Sequence, residues 1–349
     1  MDEAILLGKG TILITAHYGL WEQWGAWLGS KNYPAWGIIQ RQGNAGADLF
    51  FKELRESYGM NHIYRKSSIE HMYELLNDNK ISIQGIEGSF HHTVAVKYFN
   101  KEININCCDS FDELVESIIN TNKIKGVMAI ENSIAGSILP NYALIDQNNL
   151  NITGEYYHQI KHSLLALPNQ TIDDISEVYS HPMALLQCKN FFSNYPKIKL
   201  VESDDTAKSA KDIFTNKIKN RAAIASNEAA DLYKLNIIKK SIQTIKNNIT
   251  RFVIVQKDIS FMNKNYNKAS LKFILDHKRG SLATVLNVMS DCKLNLTKIQ
   301  SLPVIETPGK YSFFVDLTFD SSSFFERAES ILEIMTLELK ILGKYLSGK

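Results

Sequence analysis

The sequence predicts an α/β protein in which a two-lobed, doubly wound domain is followed by a ferredoxin-like domain. From residue 80 onward, short runs of β-branched residues alternate with helical segments, which is typical of a doubly wound sheet. The alternation occurs twice before an apolar strand at 249–255 returns to the first half. Residues 268–349 then follow the order strand, helix, strand, strand, helix, strand, which is the ferredoxin-like pattern.

The composition is that of an ordinary globular protein. Of 349 residues, 44% are hydrophobic and 22% are charged, which allows two or three domains with cores of their own. The 39 Lys and Arg nearly balance the 37 Asp and Glu, so the basic surface that nucleic acid requires is not predicted. No apolar run approaches the roughly 18 residues of a membrane helix. We therefore expect neither a nucleic-acid nor a membrane partner.

The cysteines favour a reducing compartment. They form no C-x-x-C pair and have no spacing that suits zinc. The start of the chain carries Asp2 and Glu3 and lacks the basic residues of an export signal. We expect a cytoplasmic protein with reduced thiols and no metal or cofactor. The four cysteines are Cys107, Cys108, Cys188 and Cys292.

Residues 1–79 have a sequence pattern that differs from that of residues 80–349. A predicted strand at 11–16 runs into His17, with Glu22 five positions later, a spacing at which a carboxylate can orient a general base. This resembles the H-x-x-x-x-[D/E] motif of the lipid A biosynthesis acyltransferases, in which the His activates the acceptor hydroxyl. The resemblance ends before the strands that would build an acyl groove. We expect a truncated acyltransferase-like segment in which His17 and Glu22 catalyse nothing.

In the first half of the central domain, small polar residues follow the predicted strands. Gly85 and Ser89 come after the strand at 81–84, and Asn132 and Ser133 follow the strand at 126–130. Parallel strands present their carboxyl ends at one edge, where ligands collect. Free N–H groups at helix starts favour a ligand with carboxylates.

The second half repeats this arrangement. Predicted strands at 177–179 and 198–202 run into His181 and Thr206 respectively, so two lobes would face each other across a cleft. His181 precedes a proline and is either close to that cleft or a helix cap. No G-x-x-x-x-G-K-[ST] sequence is present, so a nucleotide site is not expected.

Six short motifs resemble, in their order, those of the prephenate dehydratases. The resemblance implies a catalytic domain at 80–258, with lobe 1 at 80–158 plus 240–258 and lobe 2 at 159–239. It implies the conversion of prephenate to phenylpyruvate, water and carbon dioxide in L-phenylalanine biosynthesis, without a cofactor. The motifs are Gly85-x-x-Gly88-Ser89-Phe90, Ile130-Glu131-Asn132-Ser133-x-x-Gly136, Ser180-His181-Pro182-x-Ala184, Asp205-Thr206-Ala207, Ala222-Ala223-Ile224-Ala225 and Thr250-Arg251-Phe252.

Thr250 is the predicted catalytic residue, because a positioned hydroxyl can donate a hydrogen bond to the departing oxygen. Arg251 is expected to hold a substrate carboxylate, although strand alternation turns it away from the face of Thr250. Phe252 would pack against the substrate ring or fix the strand. The resemblance implies further substrate-positioning residues at the helix starts, namely Ser89, Asn132, Ser133 and Thr206.

Residues 268–349 resemble the ACT domain that follows many prephenate dehydratases and binds phenylalanine. Where that family commonly has Glu-Ser-Arg-Pro, this chain has Gln-Ser-Leu-Pro at 300–303, so both charges are missing. Phenylalanine is therefore the expected effector, and pairing of ACT domains implies a homodimer or homotetramer. The expected phenylalanine-binding residues are Gly280, Ser281, Leu282, Gln300, Ser301 and Leu302.

Three other functions stay open at this point. Arogenate carries an amine in place of the keto oxygen of prephenate and could be the substrate. A non-catalytic amino-acid sensor could also combine a two-lobed cleft with an ACT domain, but it would not need Thr-Arg-Phe. A lipid acyltransferase would depend on the truncated segment at 1–79.

Overall fold

The computed structural model describes residues 13, 21–31, 33, 35–65, 80–99, 103–120, 124–257, 265–276, 278–304 and 310–349. The predicted strand at 11–16 falls almost entirely outside this part, as do His17 and the side chain of Glu22. The chain divides into two compact units, 1–79 and 80–349. Within the described ranges, no helix is long and apolar enough to cross a membrane, and no cluster of His, Cys, Asp or Glu could hold a metal ion.

In its described residues, the first unit has two helices and a two-stranded parallel sheet. Asn44 begins its second helix, because its side-chain oxygen accepts the N–H groups of Gly46 and Ala47 at 2.8 and 3.1 Å. Trp24 and Trp27 are each 48% exposed. The elements are α1 (Trp21–Ser30), β1 (Trp36–Ile39), α2 (Ala45–Ser57) and β2 (Asn61–Tyr64).

The second unit begins with alternating strands and helices. Ser110 caps the helix that begins at Phe111, because its hydroxyl accepts the N–H of Glu113 at 3.1 Å, and the Glu113 carboxylate accepts the N–H of Asp109, one residue before this cap, at 2.7 Å. The elements are β3 (Lys80–Gln84), α3 (Phe90–Phe99), β4 (Asn104–Cys108), α4 (Phe111–Asn120), β5 (Lys125–Asn132), β6 (Gly136–Ser137), α5 (Leu139–Gln147) and β7 (Asn151–Gln159).

The second lobe has the same alternation of strands and helices. One additional strand precedes this alternation in the chain and another follows it, and the sequence pattern predicted neither. These are β8 and β12, which run antiparallel to each other. The elements are β8 (Ser163–Ala166), β9 (Glu177–Ser180), α6 (Pro182–Phe192), β10 (Lys199–Glu202), α7 (Thr206–Asn216), β11 (Arg221–Ala225), α8 (Asn227–Leu232) and β12 (Asn236–Lys239).

The chain then returns to the first lobe through β13 (Ile249–Gln256). The first sheet has the order β4-β3-β5-β13-β7, and the second has the order β10-β9-β11-β8-β12. Two adjacent segments connect the sheets and are hydrogen-bonded to each other, from Ile160 N–H to Asn248 C=O at 2.7 Å and from Ile242 N–H to His162 C=O at 2.8 Å. The start of β13 therefore lies at the junction of the lobes.

A four-stranded antiparallel sheet completes the unit, with the order β15-β16-β14-β17. One face packs on two helices through Leu271, Phe273 and Phe325. The other face shares a core with the first lobe, in which Phe314 and Tyr345 join residues of β5 and β13. The elements are β14 (Lys268–Ile274), α9 (Ser281–Asp291), β15 (Asn295–Pro303), β16 (Tyr311–Thr318), α10 (Ser322–Met335) and β17 (Glu338–Tyr345).

Candidate active site

Thr250 lies in the middle of three neighbouring strands. It is paired with Asn132 of β5 on one side and with His158 of β7 on the other. Arg251 is opposite Glu131, whereas Phe252 is opposite Ala129, so one residue of β5 is bulged. A bulge reverses the face on which the following side chains lie. It therefore turns Asn132 onto the face of Thr250.

The Asn132 side chain is held in a single orientation. Its oxygen accepts the N–H groups of Ile134 and Ala135, each at 2.9 Å. Its amide nitrogen donates to Thr250 Oγ1 at 2.8 Å and to Asn248 Oδ1 at 2.7 Å. Because Thr250 Oγ1 accepts from Asn132, its own proton can be donated to a ligand.

The network continues into the second lobe through residues that the sequence motifs did not indicate. Asn248 Nδ2 donates to Gln187 Oε1 at 2.9 Å, and the same oxygen is 2.9 Å from His162 Nε2. Burial lowers the pKa of His162 to about 4, so the ring is neutral near pH 7 and donates through Nε2. Asn248 is fully buried. Its position two residues before Thr250 was the only sequence signal for it.

The two predicted serines are hydrogen-bonded to the backbone. Ser133 Oγ accepts the N–H of Ile249 at 2.9 Å and donates to the carbonyl of Asn247 at 3.3 Å, which secures the entry to β13. Ser89 Oγ accepts the N–H of His92 at 3.2 Å and caps α3. Ser133 therefore fixes the backbone next to Thr250, whereas Ser89 fixes the first turn of α3.

The turn between β3 and α3 lies against the second lobe. Gly85 has φ +90°, and a Cβ there would be 3.3 Å from a carboxylate oxygen of Asp205. Gly88 has φ +87° and its carbonyl accepts the Ser226 hydroxyl at 3.0 Å. Glycine suits both positions because other residues rarely adopt positive φ. The lobes are thus in contact beside Ser89.

Two further predicted residues lie at helix starts of the second lobe. Thr206 is the first residue of α7, but Asp205 makes the cap, accepting the N–H of Lys208 at 2.8 Å. Burial raises the pKa of Asp205 above its usual 3.8. His181 accepts the N–H of Met183 at 3.2 Å, which is the helix-cap alternative for this residue.

The predicted contact of Arg251 with a substrate carboxylate is wrong. Its side chain is 4% exposed and extends from the opposite face of the sheet. It donates to Glu155 at 2.7 Å, to Tyr345 Oη at 2.9 Å and to Asp316. All three guanidinium nitrogens therefore donate to side chains of the chain itself.

Phe252 is also a core residue and not a substrate contact. Its side chain is 1% exposed and packs with Ile81 and Val127 beneath α3. Its ring meets the edge of His91 at a centroid distance of 5.0 Å. Of the two roles predicted for it, the structure supports fixing the strand.

A cavity of about 330 Å³ opens between the lobes next to His158. Burial lowers the pKa of His158 to about 4, so the ring beside Thr250 is neutral near pH 7. Phe90 forms one wall, with its ring 6.1 Å from that of His158. Lys97, Lys161 and Glu228 also line the cavity. Lys97 is paired with Glu228 at 3.3 Å, so Lys161 supplies the uncompensated positive charge among these three, which favours an anionic ligand.

Comparison with known proteins identifies the family of the region that contains these residues. The prephenate dehydratase family model matches residues 81–260. A prephenate dehydratase of Methanocaldococcus jannaschii is 35% identical over 253 residues, covering 71% of this chain and 90% of that protein. Arogenate dehydratase/prephenate dehydratase 2 of Arabidopsis thaliana is 35% identical over 286 residues, covering 76% of this chain and 72% of that protein.

A solved structure has the same fold. The prephenate dehydratase of Arthrobacter aurescens, in complex with L-Phe, superposes with a TM-score of 0.70 at 22% identity, covering 77% of this chain and 90% of that one. The family match spans both lobes and the strand that carries Thr250. The chain therefore belongs to the prephenate dehydratase family of enzymes.

Proposed function

We propose that this chain converts prephenate to phenylpyruvate, with Thr250 as the residue that assists loss of the ring hydroxyl. The bond from the ring to the carboxylate breaks, its electron pair enters the ring, and carbon dioxide leaves. The ring hydroxyl departs as water after taking up a proton. Aromatisation drives the reaction, so the protein mainly has to orient the substrate and stabilise the departing oxygen.

One observation carries this proposal. The Asn132 amide donates to Thr250 Oγ1 at 2.8 Å, which directs the threonine proton towards a ligand. Removing one such preorganised donor typically lowers turnover on the order of 100- to 1000-fold. The test is conversion of prephenate by the wild type and by Thr250→Ala, with phenylpyruvate as the readout. Near-native turnover by Thr250→Ala would refute the role of the threonine.

Arogenate is the second candidate substrate, because the Arabidopsis relative carries both enzyme names at 35% identity. The two substrates differ only in a keto or amino group. Parallel assays with prephenate and arogenate, compared by kcat/KM, separate the two. A larger kcat/KM for arogenate would reassign the substrate and leave the role of Thr250 unchanged.

We also propose that residues 268–349 form an ACT domain with phenylalanine as an inhibitor. The related Arthrobacter aurescens protein was solved with L-Phe. Leu302 of β15 and Ile274 of β14 are paired with the same residue of β16, Ser312, at one end of the sheet. Gly280 lies between the end of β14 and the start of α9. Its φ of +87° and the open space beside it leave room for the backbone of an amino acid. Calorimetry and inhibition by phenylalanine test this proposal.

We also propose an oligomeric assembly and limits for the domains. Pairing of two ACT domains would complete the phenylalanine site and form a cytoplasmic homodimer or homotetramer, which light scattering tests. The catalytic domain would span 80–258, divided at 159 and 240. Residues 1–79 would be an acyltransferase-like remnant without activity of its own.

A further inference from the structure

Two residues adjacent to the candidate catalytic pair extend towards the C-terminal sheet. Glu131 precedes Asn132 and Arg251 follows Thr250, and they are opposite each other in the paired strands. Because the bulge and strand alternation reverse the side-chain direction, Asn132 and Thr250 lie on one face, and Glu131 and Arg251 lie on the other. Each outer residue is therefore joined to its inner neighbour by a single peptide unit.

Both outer residues form ion pairs with the C-terminal domain. Lys298 of β15 lies 3.0 Å from Glu131 and donates to Ser137 Oγ at 2.8 Å. Arg251 is bonded to Asp316 of β16. The first lobe and the C-terminal sheet thus contact each other directly behind the catalytic pair.

The Arg251 contact belongs to a closed, buried cluster. Glu155 of β7 accepts from Arg251 at 2.7 Å and from Lys268 of β14 at 2.8 Å, and Ser270 donates to Asp316. The positive charges of Arg251 and Lys268 balance the negative charges of Glu155 and Asp316, and all four side chains are 0–4% exposed. Burial alone would raise the pKa of Asp316, but the charge of Arg251 outweighs it and holds the pKa below 3.8.

Lys298 connects this region to the expected effector site. Lys298, Gln300 and Leu302 alternate on the half-buried face of β15. Leu302 packs against the core that the sheet shares with the first lobe. A ligand that shifts Gln300 or Leu302 would therefore shift Lys298 along the same strand.

We propose that Glu131 and Arg251 are positioning residues through which the C-terminal domain sets the geometry of Asn132 and Thr250. This inference rests on the proposed function and specifies its regulation. Phenylalanine would act by moving β15 and β16, and the two ion pairs would carry that movement to β5 and β13. Coupling requires differential contacts in two states, and these pairs supply them at the catalytic residues themselves.

The test compares Lys298→Met with Lys340→Met. Lys340 also joins the C-terminal sheet to the first lobe, 2.8 Å from Asp146, but at the end of α5 and away from the catalytic pair. Methionine keeps the length of the side chain and removes its charge. The readout is the factor by which saturating phenylalanine reduces kcat/KM, with phenylalanine affinity measured separately by calorimetry.

We expect Lys298→Met to reduce this factor on the order of five-fold, the lower end of typical allosteric coupling, and Lys340→Met to leave it unchanged. Glu131→Gln should reproduce the effect of Lys298→Met, because it removes the opposite charge of the same ion pair. Equal factors in the wild type and Lys298→Met overturn the inference, as does an equal loss in Lys340→Met. Failure of the wild type to bind phenylalanine overturns it as well.

A readout independent of turnover separates this inference from the proposed function. Hydrogen exchange of the peptide covering 129–134 should change when phenylalanine binds the wild type and Lys340→Met, but not Lys298→Met, whereas the peptide covering 247–253 should still respond in all three because the pair of Arg251 with Asp316 stays intact. A wild type that is inactive but shows this exchange pattern refutes the dehydratase assignment and supports the coupling. A wild type that is active but lacks the pattern supports the dehydratase assignment and refutes the coupling.

Discussion

At the scale of single residues, one amide determines what the candidate catalytic hydroxyl can do. Asn132 donates both of its N–H groups, to Thr250 and to Asn248, while two backbone N–H groups hold its oxygen. An amide can satisfy these four partners, whereas a carboxylate has no proton to donate when ionised. The direction of the Thr250 proton therefore depends on Asn132.

We predict that Asn132→Asp lowers kcat on the order of 100-fold or more, as loss of one oriented donor does. The carboxylate that this substitution introduces would attract the Thr250 proton that the substrate needs. Asn148→Asp is the control, because Asn148 Nδ2 donates to a helix carbonyl at 3.0 Å away from the site and should keep wild-type kcat. An Asn132→Asp variant with unchanged kcat would contradict the role of Asn132 in orienting the Thr250 hydroxyl.

The buried histidines predict a pH dependence of stability. Burial lowers the pKa of His91, His158 and His162 from 6.5 to about 4. Because the unfolded chain binds protons first as the pH falls, their contribution to stability is complete above pH 6.5 and is lost between 6.5 and about 4. Urea unfolding at stepped pH should show this decline.

The same pKa values make a prediction for activity. His158 next to Thr250 and His162 in the hydrogen-bond network stay neutral near pH 7, so kcat should have no inflection near pH 6.5. A histidine inflection in kcat at that pH would show that one of these rings titrates in the active enzyme.

At the scale of secondary-structure elements, β13 acts through its two faces. One face presents Thr250 to the junction of the lobes, and the other places Arg251 in the ion cluster with Glu155 and Asp316. Strand alternation therefore lets one strand serve the site and the docking of the C-terminal sheet at once.

We predict that Asp316→Asn lowers the free energy of unfolding by about 3 to 5 kcal/mol, because removing one partner leaves a buried charge without full compensation. Urea unfolding measures this change. Lys278→Met is the matched control, since Lys278 and its partner Asp276 are 76% and 51% exposed and their ion pair is screened by water. Equal stability of Asp316→Asn and the wild type would mean that the cluster does not stabilise the fold.

At the scale of the whole molecule, the chain separates into two compact units at residue 79. The family match begins at residue 81, so the complete dehydratase region lies in the second unit. In the described part of the first unit, Trp24 and Trp27 are half exposed.

We predict that residues 80–349 alone retain the kcat of the full chain and its main melting transition. The physical reason is that every hydrogen bond described around Thr250 is formed within the second unit. Assays and calorimetry of the truncated and full chains test this. Loss of turnover on truncation, or acyl transfer that His17→Ala abolishes, would contradict the view of 1–79 as an inactive remnant.

The sequence by itself determined the family and the approximate order of most elements. The motifs around Gly85, Asn132 and Thr250 are local, and they identify the family without any knowledge of contacts. Most strands of the doubly wound region are apolar and flanked by turn residues, so their pattern is visible in a short window. Alternation along the strand also indicated correctly that Arg251 faces away from Thr250.

Only the tertiary structure decided which residues share the site. Strand β7 escaped prediction because it is polar, with Glu155 and His158 among its residues, and these become buried only when β13 and the C-terminal sheet cover them. The bulge in β5 that turns Asn132 towards Thr250 exists only in the pairing with β13. Gln187 is 61 residues from Asn248 in the chain. Local pattern defines the faces of a strand, but pairing between distant segments decides what each face meets.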